Sequence, residues 1–213
     1  MAFDRQIHRA TDRPALPMAS EERIAALQEI YDRYEAEAAV YKQGAVCRPG
    51  CAFCCTEVGN VDITTLEGLV IRERIGRMPK TMQKKIAKDL VRNRRLKKVR
   101  AIVRCPFLTP KNLCLIYEIR PFSCRRLYSV KPCEGRGPTI HRQTQEMTER
   151  AVARLQRLDD CGYSGHISFI LTLLDSDDFR SFYTAGGFDP RRIAGFGKAN
   201  CLVINRIAGG GPT

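Results

Sequence analysis

A chain of 213 residues, 44% of them hydrophobic, is long enough to bury one sizeable core, and its length suggests one domain. A formal charge of +13 and ten cysteines stand out, while tryptophan is absent, so packing falls mainly to Leu, Ile and Val. No apolar run approaches the roughly 18–20 residues a spanning helix needs, which excludes a helical membrane role.

The first residues, MAFDRQIHRATDRP, carry charge and no apolar segment, so they do not read as a secretory signal. A cytoplasmic chain is therefore expected. In that reducing compartment thiols persist, and this cysteine density points to metal rather than to disulfides. Residues 1–18 read as a flexible segment, 19–205 as a single helical cysteine-cluster domain and 206–213 as a disordered tail.

Ser20-Glu21-Glu22 reads as an N-cap followed by first-turn acids. Ile24, Leu27, Tyr31, Tyr34 and Ala38 then recur at helical spacing until Gly44. Thr64-x-x-Glu67 is a capping box, with Leu66, Leu69, Val70 and Ile75 as the apolar face of a helix up to Gly76. A further helix is expected from about 81 to 103, with Met82, Ile86, Leu90, Val99 and Val103 inward. The stretch 80–104 holds eleven basic residues against one acid, Asp89, and so carries most of the net charge.

From Cys105 the pattern breaks down. Pro106, Pro110, Pro121, Pro132 and Pro138 fall within 33 residues, and only 113–120 has the makings of a turn or two of helix. So long an irregular segment inside a domain needs something to bind it together. Helices resume at 140–158 and 167–174, and Asp189-Pro190 opens a last one to about Ile204. The expected fold class is mainly α, with helices packed around an irregular, metal-stapled, cysteine-rich centre.

The first cysteine block reads CRPGCAFCC: Cys47, Cys51, Cys54 and Cys55. Cys51-x-x-Cys54 has the spacing at which one turn brings two thiolates to one metal. Neighbouring side chains diverge, so Cys54 and Cys55 both ligate most easily with two metals or a multinuclear cluster; otherwise one is a bystander. Cys105, Cys114, Cys124 and Cys133 are spaced 9, 10 and 9 apart and must be gathered by the fold. The eight thiols can build two four-thiolate sites or one site drawing on both blocks, and sites crossing between the blocks explain best why the second lacks close pairs. Cys161 and Cys201, isolated in sequence, read as small buried hydrophobes.

Arg48, Arg104, Arg120, Arg125 and Arg126 lie near cysteines and can donate to their sulfurs or simply face solvent. His141 lies eight residues past Cys133, within reach of a ligand role, and Glu57 and Glu118 stand near cysteines; all three read first as ordinary polar residues. The basic stretch 80–104 offers itself to an acidic protein or to a nucleic-acid backbone, although it lacks interleaved aromatics for base stacking.

CRPGCAFCC, then VDITTLE, then CPFL, then NLCLIYEIRPFSCR together resemble the YkgJ-type cysteine-cluster family, the putative zinc- or iron-chelating domain. The resemblance covers roughly 47–126 and implies that Cys47, Cys51, Cys54, Cys55, Cys105, Cys114 and Cys124 bind metal. Cys133 joins them on proximity alone. Zinc or iron, including an iron–sulfur cluster, is the implied cofactor, in a structural, carrier or sequestration role without catalytic residues. The alternative is an iron–sulfur enzyme or redox sensor. Part of the family looks similar to flagellin lysine methylases, but the chain has no glycine-rich strand-to-helix loop for S-adenosylmethionine. Cys47-x3-Cys51-x2-Cys54 also has radical S-adenosylmethionine spacing, without the strand–helix alternation that chemistry resides in.

Overall fold

The computed structural model describes residues 20–206. The flexible segment expected at 1–18 and all but the first residue of the expected tail lie outside it, as does His8. Helix α1 spans Ser20–Ala38 and tightens into a 3-10 turn, Ala39–Lys42. The capping role read for Ser20 falls on a side chain outside the description. Helix α2, Thr65–Gly76, starts at the expected box: Thr64 Oγ1 accepts from Glu67 N, and the Glu67 carboxylate accepts from Thr64 N.

Helix α3, Lys80–Lys97, ends about six residues before the expected 103. Val99 is 79% exposed rather than inward. The chain turns back after Lys98, where Asn93 Nδ2 donates to Arg104 O at 2.8 Å, and this return buries Val103 off the helix. Helix α4 is four residues, Phe122–Arg125, inside the expected irregular stretch. Helices α5, Gln143–Leu158, and α6, Ile167–Leu174, fall where periodicity placed them. Helix α7, Asp177–Thr184, was not anticipated, although Ser176 caps it and two acids open it. The expected last helix is a 3-10 turn, Pro190–Ile193, and a short α8, Ala194–Ala199, stopped before Cys201 at φ 53°.

A small antiparallel sheet was also not foreseen. Strand β1, Asp62–Thr64, pairs with β2, Tyr163–His166, setting Ile63 opposite Gly165; β2 pairs with β3, Val203–Ile204. The larger core packs Ile63, Ile71 and Ile86 with Ile167, Ile170 and Leu174. A second core sets Leu27, Tyr31 and Tyr34 of α1 against Ala151 and Leu155 of α5, closed by Leu66 and Phe122. Gly68 allows α2 to lie close on α6, since a Cβ there would meet Leu174 Cδ1 at 2.8 Å and Ile170 Cγ2 at 2.9 Å.

Asp159 ties distant parts of the chain together. Its fully buried carboxylate accepts from Arg23 Nη2 (2.8 Å), Tyr183 OH (2.6 Å), Leu66 N (3.1 Å) and Asn205 Nδ2 (3.1 Å). Burial raises this carboxyl above its ordinary range, and the Tyr183, Leu66 and Arg23 donors pull against it.

His166, buried at the start of α6 with Nδ1 2.9 Å from Ser168 Oγ, is pushed down to about 4 by burial, with Lys97 adding to the effect. The unfolded chain takes up this proton near pH 6.5 and the folded chain only near 4. Stability is therefore full above about 6.5 and falls as pH drops towards 4, by about 3 kcal/mol. Urea unfolding across that window should show a shallower pH slope for His166→Gln than for the parent; identical slopes would contradict the assignment.

Candidate metal centre

The first cysteine block is built by turns. Val46 N donates to Ser129 O at 2.8 Å, which pins the block against the loop that carries Cys133. Cys51 N donates to Arg48 O through the turn at Pro49 and Gly50 (φ 86°). Cys54–Val58 then forms a single π-helical turn, a wide geometry that recurs at functional sites. Gly59 ends it in the left-handed region (φ 56°), its N–H on Cys54 O. A Cβ at Gly59 would meet Ile102 Cγ2 at 2.6 Å and Val103 N at 3.0 Å, so glycine lets the turn press against the second block.

Cys105 meets that turn directly, its N–H donating to Cys55 O at 2.8 Å. A tight hairpin follows, with Leu108 bridged to Cys114, Thr109 N on Leu113 O and Leu115 N on Phe107 O. Phe107 and Ile116, both buried, anchor its two arms in the larger core, and Cys105, Cys114 and Cys124 pack against the same core. Cys124 sits on α4, whose first N–H, from Phe122, donates to Glu67 Oε1 at 2.7 Å. Cys133 lies in a loop closed by Val130 N on Thr139 O, with Arg136 N on Cys133 O.

These connections divide the thiols into two adjoining neighbourhoods. Burial pushes the Cys54 thiol up to about 12, and the sulfurs of Cys133, Cys47, Cys55 and Cys51 add to it. Cys105 is also pushed up to about 12 by burial; a Phe107 backbone hydrogen bond opposes this, while Cys55 and Cys114 add to it. Burial raises Cys124 further, with Cys105, Cys55 and Cys114 behind it. Cys55 is raised by burial, then by Cys114 and Cys51, and Arg104 works against both. Coulombic influence fades with distance: Cys54 feels Cys133, Cys47, Cys55 and Cys51, whereas Cys55 feels Cys114 and Cys51, so Cys51 and the Cys54–Cys55 pair join the two neighbourhoods.

Among the described residues, however, no three His, Cys, Asp or Glu side chains converge tightly enough to enclose an ion. The centre is irregular and cysteine-rich, as expected, and backbone hydrogen bonds together with buried aromatic and aliphatic anchors contribute to its order. The donor chemistry fits a soft or borderline cation: eight free thiols, six of them half-buried, with Cys54, Cys55, Cys105, Cys114 and Cys124 in surroundings that favour the protonated form until a cation replaces the proton.

Among the arginines, Arg104 acts on Cys55 and Cys105, and Arg120 acts on Cys114. Arg125 instead donates to the Arg120 and Glu118 carbonyls and covers the Tyr31 ring. Arg126 acts on Tyr34 and Asp62. His141 lies tilted against Tyr41 with ring centroids 4.9 Å apart, Glu118 pairs with Arg74 at 3.4 Å, and Glu57 is exposed. Cys161 is buried, as expected of a small hydrophobe, whereas Cys201 is exposed because the chain leaves α8 there in a left-handed turn. The residue missed as part of the site is Glu67. Its capping box was legible, but its reach to Phe122 depends on a contact 55 positions away.

No curated protein and no solved structure matches the chain. One family model matches residues 46–154, about half of the chain and the whole span of the eight clustered cysteines, Cys133 included. The family's name spaces its first two cysteines by two residues, where this chain has three, Arg48, Pro49 and Gly50. The chain belongs to the CxxCxxCC family, described as "Putative zinc- or iron-chelating domain".

Proposed function

We propose that the protein holds zinc or iron at two four-thiolate sites, Cys47, Cys51, Cys54 and Cys133 in one, Cys55, Cys105, Cys114 and Cys124 in the other. What supports this reading is that Cys54 and Cys55 leave one π-helical turn as chain neighbours, whose side chains diverge, with Cys133 and Cys47 the strongest sulfur influences on Cys54 and Cys114 the strongest on Cys55. Each set draws on both blocks, which accounts for the absence of close pairs in the second. Small movements of the 46–51 and 131–137 loops would complete the first set around a cation. The second set is already fastened through the Cys105–Cys55 backbone contact and the Cys114 hairpin.

Four thiolates on a divalent cation leave net negative charge, which Arg104 and Arg120 are placed to offset. The role is chelation, for structure, carriage or sequestration, in a compartment reducing enough to keep thiols free. No helix among the described residues is long and apolar enough to cross a membrane.

Metal analysis of the full chain purified without oxygen should find about two equivalents of zinc or iron. Cys54→Ala and Cys55→Ala should each lose about one equivalent, and Cys201→Ala none. Equal metal in all three variants would remove the proposal, as would loss of all metal from either single change. A brown protein would direct the same two sites to iron clusters and a redox role.

A further inference from the structure

Much of the positive charge lies on α3, away from the thiols. Lys84, Lys88, Arg95 and Lys98 are all exposed, and their helical spacing places them on one stripe. At 1.5 Å per residue that stripe runs for about 20 Å. The one acid of the helix, Asp89, is held by Lys85 at 2.7 Å rather than by the stripe.

At the C-terminal end of the stripe an open cleft of about 460 Å³ separates α3 from α8. Arg94, Arg95 and Lys98 line one side, Phe196 and Asn200 the other. Arg94 is steadied by a 3.1 Å bond to Thr172 Oγ1, and Phe196 is half-buried against the larger core. Asn200 is 8% exposed, and its Nδ2 donates to Phe196 O at 2.8 Å.

Cations and an aromatic ring in one cleft match the phosphate and the flat face of a nucleotide. The stripe leading from the cleft matches the phosphates that follow along a strand. An acidic polypeptide would use the cations but not the ring, and a duplex keeps its bases stacked away from it. The α3 sequence alone offers no aromatic for stacking; the fold brings one from about a hundred residues further on.

We propose that α3 and α8 form a groove for single-stranded nucleic acid, with phosphates along Lys84, Lys88, Arg95 and Lys98 and one base against Phe196. None of the eight clustered cysteines lines the cleft.

The test is fluorescence anisotropy of the full chain with labelled RNA and DNA single strands of about twelve nucleotides. Binding should weaken about 50- to 100-fold between roughly 50 and 200 mM salt. Arg95→Glu combined with Lys98→Glu should weaken it at least about tenfold and flatten the salt slope. Phe196→Leu, which keeps apolar bulk, should weaken single-strand binding about tenfold and leave duplex binding unchanged. Absence of binding at the lower salt would overturn the proposal. So would an unchanged Phe196→Leu variant, or polyglutamate competing as well as the strand, which would give the groove to an acidic protein.

Discussion

Glu67→Ala is expected to cost the fold about 3–6 kcal/mol, seen as a lower urea midpoint at an unchanged slope. Glu67 is 3% exposed, and its carboxylate accepts from Tyr31 OH at 2.6 Å, Phe122 N at 2.7 Å and Thr64 N at 2.8 Å. Alanine would leave all three donors buried without an acceptor, each at about 1–3 kcal/mol. The three belong to α1, to α4 and to the cap of α2, so this one side chain holds the second core and the cysteine-bearing α4 together. Glu67→Gln keeps one acceptor and should recover part of the loss. Because Phe122 N opens the helix that carries Cys124, the alanine variant should also weaken the site around Cys55 more than the site around Cys54. A change below about 1 kcal/mol would mean that water or a neighbour replaces the carboxylate.

Stripping the metal with a chelator, without oxygen, should have the largest effect of all. A cysteine-rich zinc site supplies on the order of 10–16 kcal/mol of apparent binding free energy at neutral pH. The whole net stability of a domain is roughly 5–15 kcal/mol. Chelation should therefore lower the melting temperature and speed amide exchange by orders of magnitude in 46–59 and 105–137. The amides of Ile167–Leu174 should keep most of their protection, because α6 packs chiefly on α2, α3 and the sheet. Unchanged exchange in the loops would show that their hydrogen bonds suffice without metal.

The parts of this fold that local chemistry dictates could be read from the sequence. The apolar spacing of α1 and α6 and the capping box of α2 need only near neighbours. The end of α3 was misplaced because Val99 and Val103 continue the helical period, while the bond that turns the chain back, Asn93 to Arg104 O, is invisible to periodicity. The last helix was overextended past Asn200 and the left-handed Cys201. The sheet was missed because its strands span two to four residues, and β1 meets β2 only across about a hundred residues of chain.

At the centre, the two cysteine blocks are plain in the sequence, but the contacts that bring their segments together, Val46 N on Ser129 O and Cys105 N on Cys55 O, are ones that no spacing encodes. The reach of Glu67 to α4 was hidden for the same reason.

X-ray absorption at the metal edge of the anaerobically purified chain bears most directly on whether thiolates alone hold the cation. A shell of four sulfurs, at about 2.3 Å if the metal is zinc, is the expected spectrum. A first shell dominated by nitrogen or oxygen would contradict it.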